Sequence, residues 1–252
     1  MTPPKLMASD ERGNALTRIV VIGMADAVAP RLEDAARSVS VNLYPAHSGL
    51  HPALKYDEKE AISAWGRPLL AGELAAYSSH YSAWQDLASG DAKQYVVLAG
   101  DIVVDWTFLG KLAEVDLTAM GIHYLRLNHR YPVASRIVKE NFVEPDRFVL
   151  ELKGLAVGAT AYAITKVGAS GFLDRCRTVV RPVADELGRV GSSRRYRNLS
   201  IFPPAVLEAS EELNLCDTPS DAESKLRRAT TSCWHLGRAA RSVFARRWQR
   251  TP

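Results

Sequence analysis

A glutamate, a histidine and two aromatic rings fall on one narrow stripe if the chain is helical here: Glu73, Tyr77, His80 and Trp84, at about 100° per residue. A second stripe of Leu70, Leu74, Tyr81 and Ala88 runs beside it, so the combined face is wide and is predicted to turn inward. There an unpartnered charge is costly, and Glu73 and His80 each need a hydrogen-bonding partner. They stand two turns apart, roughly 10 Å along the axis, and cannot serve one another. Two readings follow. Either Glu73 caps the helix start, after Pro68 and Gly72, and His80 is a satisfied core histidine, or the stripe braces a nucleotide or acceptor pocket.

A second candidate lies at the end of Tyr95-Val96-Val97-Leu98-Ala99, which is apolar on both faces and runs into Gly100-Asp101. In open α/β sheets ligands bind outside the carboxyl ends of strands, so Asp101 is where a metal or a ribose would be met, and Gly100 permits close backbone approach. A hard divalent cation on a diphosphate needs oxygen ligands, and a carboxylate at a strand end supplies one. Asp105, about 13 Å farther along an extended chain, is too distant to share that ion. Its position before Trp106 and Phe108 suits a helix N-cap.

These residues need a scaffold. Arg18 to Gly23 reads as a buried strand, Arg31 to Ser38 as a helix after Pro30, and Val39 to Leu43 as a second strand. Pro45 to Tyr56 reads as a loop, Gly72 to Leu87 as the longest internal helix, and Ile122 to Leu127 as a further strand. Arg147 to Leu152 alternates like one arm of a hairpin. Ala159 to Thr165 feeds a helix over Lys166 to Asp174, and Arg194 to Phe202 reads as the last core strand. Such alternation predicts an α/β fold with a mostly parallel central sheet.

The 252 residues, 47% of them apolar, can bury a large core. The net charge of +4 conceals an asymmetry. Lys225 to Arg250 holds eight basic residues and no acidic one, whereas residues 1–224 carry 24 basic side chains against all 28 acidic ones. Cys176, Cys216 and Cys233 form neither a disulfide framework nor a metal-ligand spacing and read as reduced thiols in a cytosolic setting. No stretch has the apolar length of a signal peptide core or a membrane span, which predicts a chain that neither takes the usual export route nor crosses a bilayer.

Taken in order, these segments resemble glycosyltransferase family 25, the lipooligosaccharide and collagen galactosyltransferase type of enzyme. The family's Gly-Glu-Ile-Gly-Cys-x-x-Ser-His-x-x-x-Trp signature is matched by Gly72, Glu73, Ser79, His80 and Trp84, with Ala75 and Ala76 in the Gly-Cys places. Its earlier small-Gly pair is matched by Ser48-Gly49. A strand ending Leu-Glu-Asp-Asp-Val reads Leu98-Ala99-Gly100-Asp101-Ile102 here, retaining only the last acid. The Gly-x-x-Ala-Tyr-x-Ile-Ser-x-x-Gly-Ala element is similar to Gly158 through Ala169. Pro-Val-Asp becomes Pro182-Val183-Ala184-Asp185, and a late Pro corresponds to Pro203 or Pro204.

The resemblance implies a GT-A-like fold over residues 18–215, after a flexible N-terminus at 1–17. It implies inverting transfer of a hexose, galactose or glucose, from a UDP-sugar to a hydroxyl of a glycan or lipid-linked saccharide. Asp101 would hold Mn2+ or Mg2+ on the diphosphate, and Gly100, Gly158 and Tyr162 would line the donor pocket. Asp185 or Glu186 would take the acceptor proton, while Glu73, Ser79, His80 and Trp84 would support the site. For Gly158 to Ala169 the structural alternative is a strand and helix packed through small residues, and for Asp185 a solvated carboxylate at a helix start. With two acids missing, three arrangements stay open. Asp101 shares the ion with the diphosphate and water, Arg126, Arg130 or Arg136 replaces the ion, or the chain is a non-catalytic binding or scaffold protein.

Residues 216–224 read as a linker to a basic amphipathic tail at 225–252. Leu226, Ala229, Cys233, Leu236, Ala240, Val243, Phe244 and Trp248 recur at helical spacing, with arginines mostly on the other side. Such a helix suits an anionic membrane surface, and the absence of a basic surplus in residues 1–224 argues against nucleic acid. The expected location is cytoplasmic, peripheral on the inner face of the cytoplasmic membrane. At about 1 kcal/mol per basic residue near such a surface, eight give useful reversible binding. Deleting residues 225–252 should therefore release the chain from anionic vesicles in a co-sedimentation assay. Undiminished binding would refute the membrane role.

Overall fold

The computed structural model describes residues 16–23, 41–99, 102–129, 133–156 and 158–208. Its elements run β1 (Thr17–Gly23), β2 (Val41–Pro45), β3 (Lys55–Tyr56), α1 (Glu58–Trp65), α2 (Ala71–Ser89), β4 (Gln94–Ala99), β5 (Ile102–Val104), α3 (Trp106–Ala113), β6 (Tyr124–Arg126), β7 (Ser135–Lys139), β8 (Phe148–Leu152), β9 (Ala161–Thr165), α4 (Lys166–Arg175), β10 (Thr178–Val179), α5 (Val183–Gly191), β11 (Leu199–Phe202) and β12 (Val206–Glu208).

Eight of these strands form one sheet in the order β2-β1-β4-β9-β6-β11-β8-β7. Three pairings are parallel (β1 with β2 and β4, β6 with β11) and four are antiparallel. Six strands thus point one way, and only β8 and β9 run against them. The sheet is mixed, with a predominantly parallel grain. Gln94 to Leu98 of β4 are buried throughout because both faces of the sheet are covered. On one face Tyr77, Tyr81 and Trp84 of α2, Phe172 of α4 and Leu187 of α5 pack over Val97, Tyr124 and Tyr162. On the other, Phe108, Leu109 and Leu112 of α3 pack over Ile19, Val96, Leu98 and Ile201.

Local chemistry sets the element ends. Asp105 caps α3, accepting from Phe108 N at 3.0 Å, and Thr165 caps α4, accepting from Gly168 N at 3.2 Å. The close seat of α4 against the chain entering β6 requires Gly168, since a Cβ there would lie 2.2 Å from the His123 carbonyl oxygen. β7 and β8 form the hairpin expected around Arg147 to Leu152. β1 begins at Thr17, whose hydroxyl donates to Ala113 O at 2.7 Å and accepts from Gln94 Nε2 at 2.8 Å.

One strand expectation fails at its start. β11 begins only at Leu199, because Arg197 and Asn198 adopt left-handed backbone (φ 60° and 47°) in the turn leaving α5. The predicted helix at Arg31 to Ser38, the linker at 216–224 and the basic tail at 225–252 lie outside the described residues. Among the described residues no helix is long and apolar enough to cross a membrane.

Candidate functional site

The carboxyl ends of β1 and β4 and the N-terminal half of α2 enclose a pocket of about 260 Å³. Ile22 and Gly23 contribute from β1, Ala99 from β4, Ala46 and His47 from the loop after β2, and Gly72, Ala75, Ala76, Ser79 and His80 from α2. The small side chains at Ala75 and Ala76 leave this volume open.

Three serines of α2 hold the facing loop. Ser79 Oγ accepts from His47 N at 2.8 Å and donates to Ala75 O at 2.9 Å. Ser78 Oγ accepts from His51 N at 2.8 Å, and Ser82 Oγ lies 2.7 Å from His47 Nε2.

His80, 3% exposed, presents its ring to the pocket and is fixed from behind. Its Nδ1 lies 2.9 Å from the Tyr162 hydroxyl, which also receives the Trp84 Nε1–H at 2.9 Å. Because the indole can only donate, the Tyr162 oxygen accepts from Trp84 and its own proton passes to His80 Nδ1. Burial pushes His80 down to about 4, so the ring is neutral near pH 7 and its proton resides on Nε2. Burial also raises the Tyr162 hydroxyl well above its ordinary range, which keeps it protonated.

The other predicted residues divide by location. Glu73 brackets the helix start. Its carboxylate accepts from Arg67 at 2.7 and 2.8 Å and from Leu70 N at 2.8 Å. Burial alone would raise that carboxyl, but these hydrogen bonds prevail and its pKa is lowered. Trp84 is fully buried, and Tyr162 meets the pocket only through His80. Gly158 (φ 138°) accepts from Arg126 Nη1 at 3.0 Å and lies 3.5 Å, N to O, from Ala184.

Asp185, buried rather than solvated, pairs with Arg181 at 3.4 Å. Glu186 lines a separate depression with Arg175, Arg189 and Val190. Burial raises the Glu186 carboxyl, opposed by Arg189 and assisted by Asp185. Neither acid is among the residues around the His80 pocket. Gly100, Asp101 and Arg130 lie outside the described residues.

A sequence model of glycosyltransferase family 25 (LPS biosynthesis protein) matches residues 50–187, more than half of the chain. The chain belongs to glycosyltransferase family 25. A search of curated proteins finds no match. The family match spans α2, β4, the Gly158 turn and the first acids of α5, so the α2 and β4 side of the pocket and the Asp185-Glu186 pair fall within it, whereas Ile22, Gly23, Ala46 and His47 precede it.

A family 25 enzyme with a divalent cation would need convergent oxygen or nitrogen ligands. Among the described residues no group of three His, Cys, Asp or Glu side chains could hold a metal ion. His123 sits with Thr165 at the amino end of β6, its Nδ1 3.3 Å from Thr165 Oγ1. His129 follows the carboxyl end of β6, its Nδ1 3.0 Å from Ser200 Oγ. The described donor set does not fit an ion. Arg136 is exposed and paired with Glu151 at 2.6 Å, whereas Arg126 is 1% exposed with no carboxylate hydrogen-bonded to it.

Sequence reasoning missed Ser78, Ser82, His47, His51 and Arg67. The three serines within five residues of one helix, facing a loop that carries two histidines, were the signal.

Tyr162→Phe should cost about 2–4 kcal/mol in a urea denaturation, because it strands Trp84 Nε1–H and His80 Nδ1 in the core. A loss below about 0.5 kcal/mol would show that the shared hydroxyl is dispensable. The neutral His80 has a pH signature. Its unfolded ring takes a proton below 6.5, whereas the folded ring resists until about 4, so stability is full above 6.5 and falls with acid through that window. The slope should reach about 1.4 kcal/mol per pH unit, and His80→Gln should lose that component. Superimposable wild-type and variant profiles would contradict a buried neutral His80.

Proposed function

We propose that the chain is an inverting hexosyltransferase of GT-A-like architecture, moving galactose or glucose from a UDP-sugar to a hydroxyl of a glycan or lipid-linked saccharide. Family 25 membership supports transferase chemistry. The observation that carries the donor reading is the pocket at the carboxyl ends of β1 and β4, where α/β sheets receive nucleotides. The neutral His80 contributes an N–H there, suited to an acceptor oxygen of the donor.

In such a transfer the acceptor oxygen attacks the anomeric carbon as the bond to the diphosphate breaks on the opposite face. A base takes the hydroxyl proton, and fixed positive charge or N–H groups stabilise the departing diphosphate. Asp185 or Glu186 is our candidate base, and burial raises the Glu186 carboxyl. Asp101 would be the ligand for Mn2+ or Mg2+ if an ion takes part. The basic tail would keep the enzyme on the cytoplasmic face of the membrane, beside a lipid-linked acceptor.

A second reading, a donor-binding protein without turnover, rests on the strand end, where Leu98-Ala99-Gly100-Asp101 keeps only the last acid of the family's motif. UDP release from UDP-galactose and UDP-glucose, assayed with and without Mn2+, separates the two. Turnover is expected, with Glu186→Gln or Asp185→Asn lowering kcat by about 100-fold or more for the true base. Binding without release would favour the second reading. Neither binding nor release under either condition would sink both.

A further inference from the structure

Polar side-chain atoms that are buried without a partner gather in one place. Among the described residues they are Tyr124 Oη, Arg126 Nε and Nη2, Ser193 Oγ and Asn198 Oδ1. All five lie on β6 or on the turn that leaves α5. Gly191 ties the two together, since a Cβ added there would stand 2.6 Å from the Tyr124 ring and 3.6 Å from Arg126 Nη2. Asn198 N in turn donates to Gly191 O at 3.0 Å.

Arg126 is the anomaly at the centre. Its guanidinium is permanently charged and only 1% exposed. It donates once, from Nη1 to the Gly158 carbonyl at 3.0 Å, and lies 5.3 Å from the centroid of the Tyr124 ring. The unpartnered Nε and Nη2 form one edge of the guanidinium. That edge presents two parallel N–H groups matched to a pair of oxygens on a phosphate or carboxylate. A buried charge with no counter-ion is strongly destabilising, so a fold that retains one has a place for an anion.

Arg126 stands opposite Tyr162 in the strand register, on the face that carries His80 and α2, and its Nη1 partner Gly158 precedes β9 at the carboxyl edge of β4. We propose that the Nε–Nη2 edge of Arg126 binds the diphosphate of the nucleotide-sugar donor, supplying the positive charge that an acid cluster would otherwise supply through a metal. The inference rests on the donor reading above. The edge is closed to solvent in the ligand-free conformation, and the turn at Gly158 must yield to admit the ligand. A φ of 138° is a backbone state that side-chain-bearing residues rarely adopt, so glycine gives this turn its freedom.

The test titrates inorganic pyrophosphate into the full chain in excess chelator, following heat of binding and thermal melting. Wild type should bind and gain melting temperature. Arg126→Gln should bind at least tenfold more weakly, while its ligand-free form melts no lower than wild type, because an uncompensated charge has been removed. Equal binding by both proteins, wild-type binding only when a divalent ion is restored, or a ligand-free variant that melts well below wild type each overturns the proposal. Arg126→Lys, which keeps the charge but loses the edge, tests the geometry independently, and undiminished pyrophosphate binding there overturns the proposal as well. UDP-sugar titrated in parallel separates this proposal from the donor reading. Pyrophosphate held through Arg126 without UDP-sugar binding removes the donor reading and leaves the anion site. UDP-sugar binding indifferent to Arg126→Gln does the reverse.

Discussion

The Tyr162 hydroxyl holds the site side of this fold together. It accepts from Trp84 and donates to His80, both at 2.9 Å, and all three side chains are buried. Those two bonds tie α2 to the central strand β9 and set the tautomer of the one histidine ring that the helix presents to the pocket. The dependence extends outward, because α2 also holds the 46–51 loop through Ser78, Ser79 and Ser82. A helix shifted by a fraction of its pitch would lose the tautomer, the loop and the pocket wall together.

The same face of the sheet carries a second polar group of opposite character. The Tyr162 hydroxyl itself is matched on both sides, by Trp84 Nε1 and His80 Nδ1. Around Arg126, one strand away in register, the charged edge and its neighbours are unmatched. The closed network positions; the open one, on our proposal, waits for the ligand that completes it. On our proposal the two fit a family 25 chain whose strand end keeps one acid of three, since a guanidinium can bring to the diphosphate the positive charge that a metal held by those acids would otherwise bring.

Much of the scaffold was legible because its signals are local. The apolar run at β4, the cap at Asp105, the hairpin at β7 and β8 and the length of α2 follow from periodicity and capping chemistry that neighbouring residues determine. The start of β11 was not legible, because left-handed backbone at Arg197 and Asn198 answers to the packing of the α5 exit rather than to residue preference. For Glu73 the simpler reading holds: it is a helix-start bracket, with Arg67 as a partner that periodicity along one helix could not name. His80 combines both readings, being a satisfied core histidine that also faces the pocket.

By itself the sequence determined the family, the long helix and the apolar strand that frame the pocket, and the uneven charge between residues 1–224 and the tail, since these depend on residue type and spacing. Only the tertiary structure decided that Trp84 and His80 meet on Tyr162, that Glu186 lines a different depression from His80, and that Arg126 is buried with no counter-ion among the described residues. Those facts arise where residues 32 to 82 positions apart come into contact across the sheet. Burial and pairing at such contacts are properties of the packed chain that no local pattern encodes.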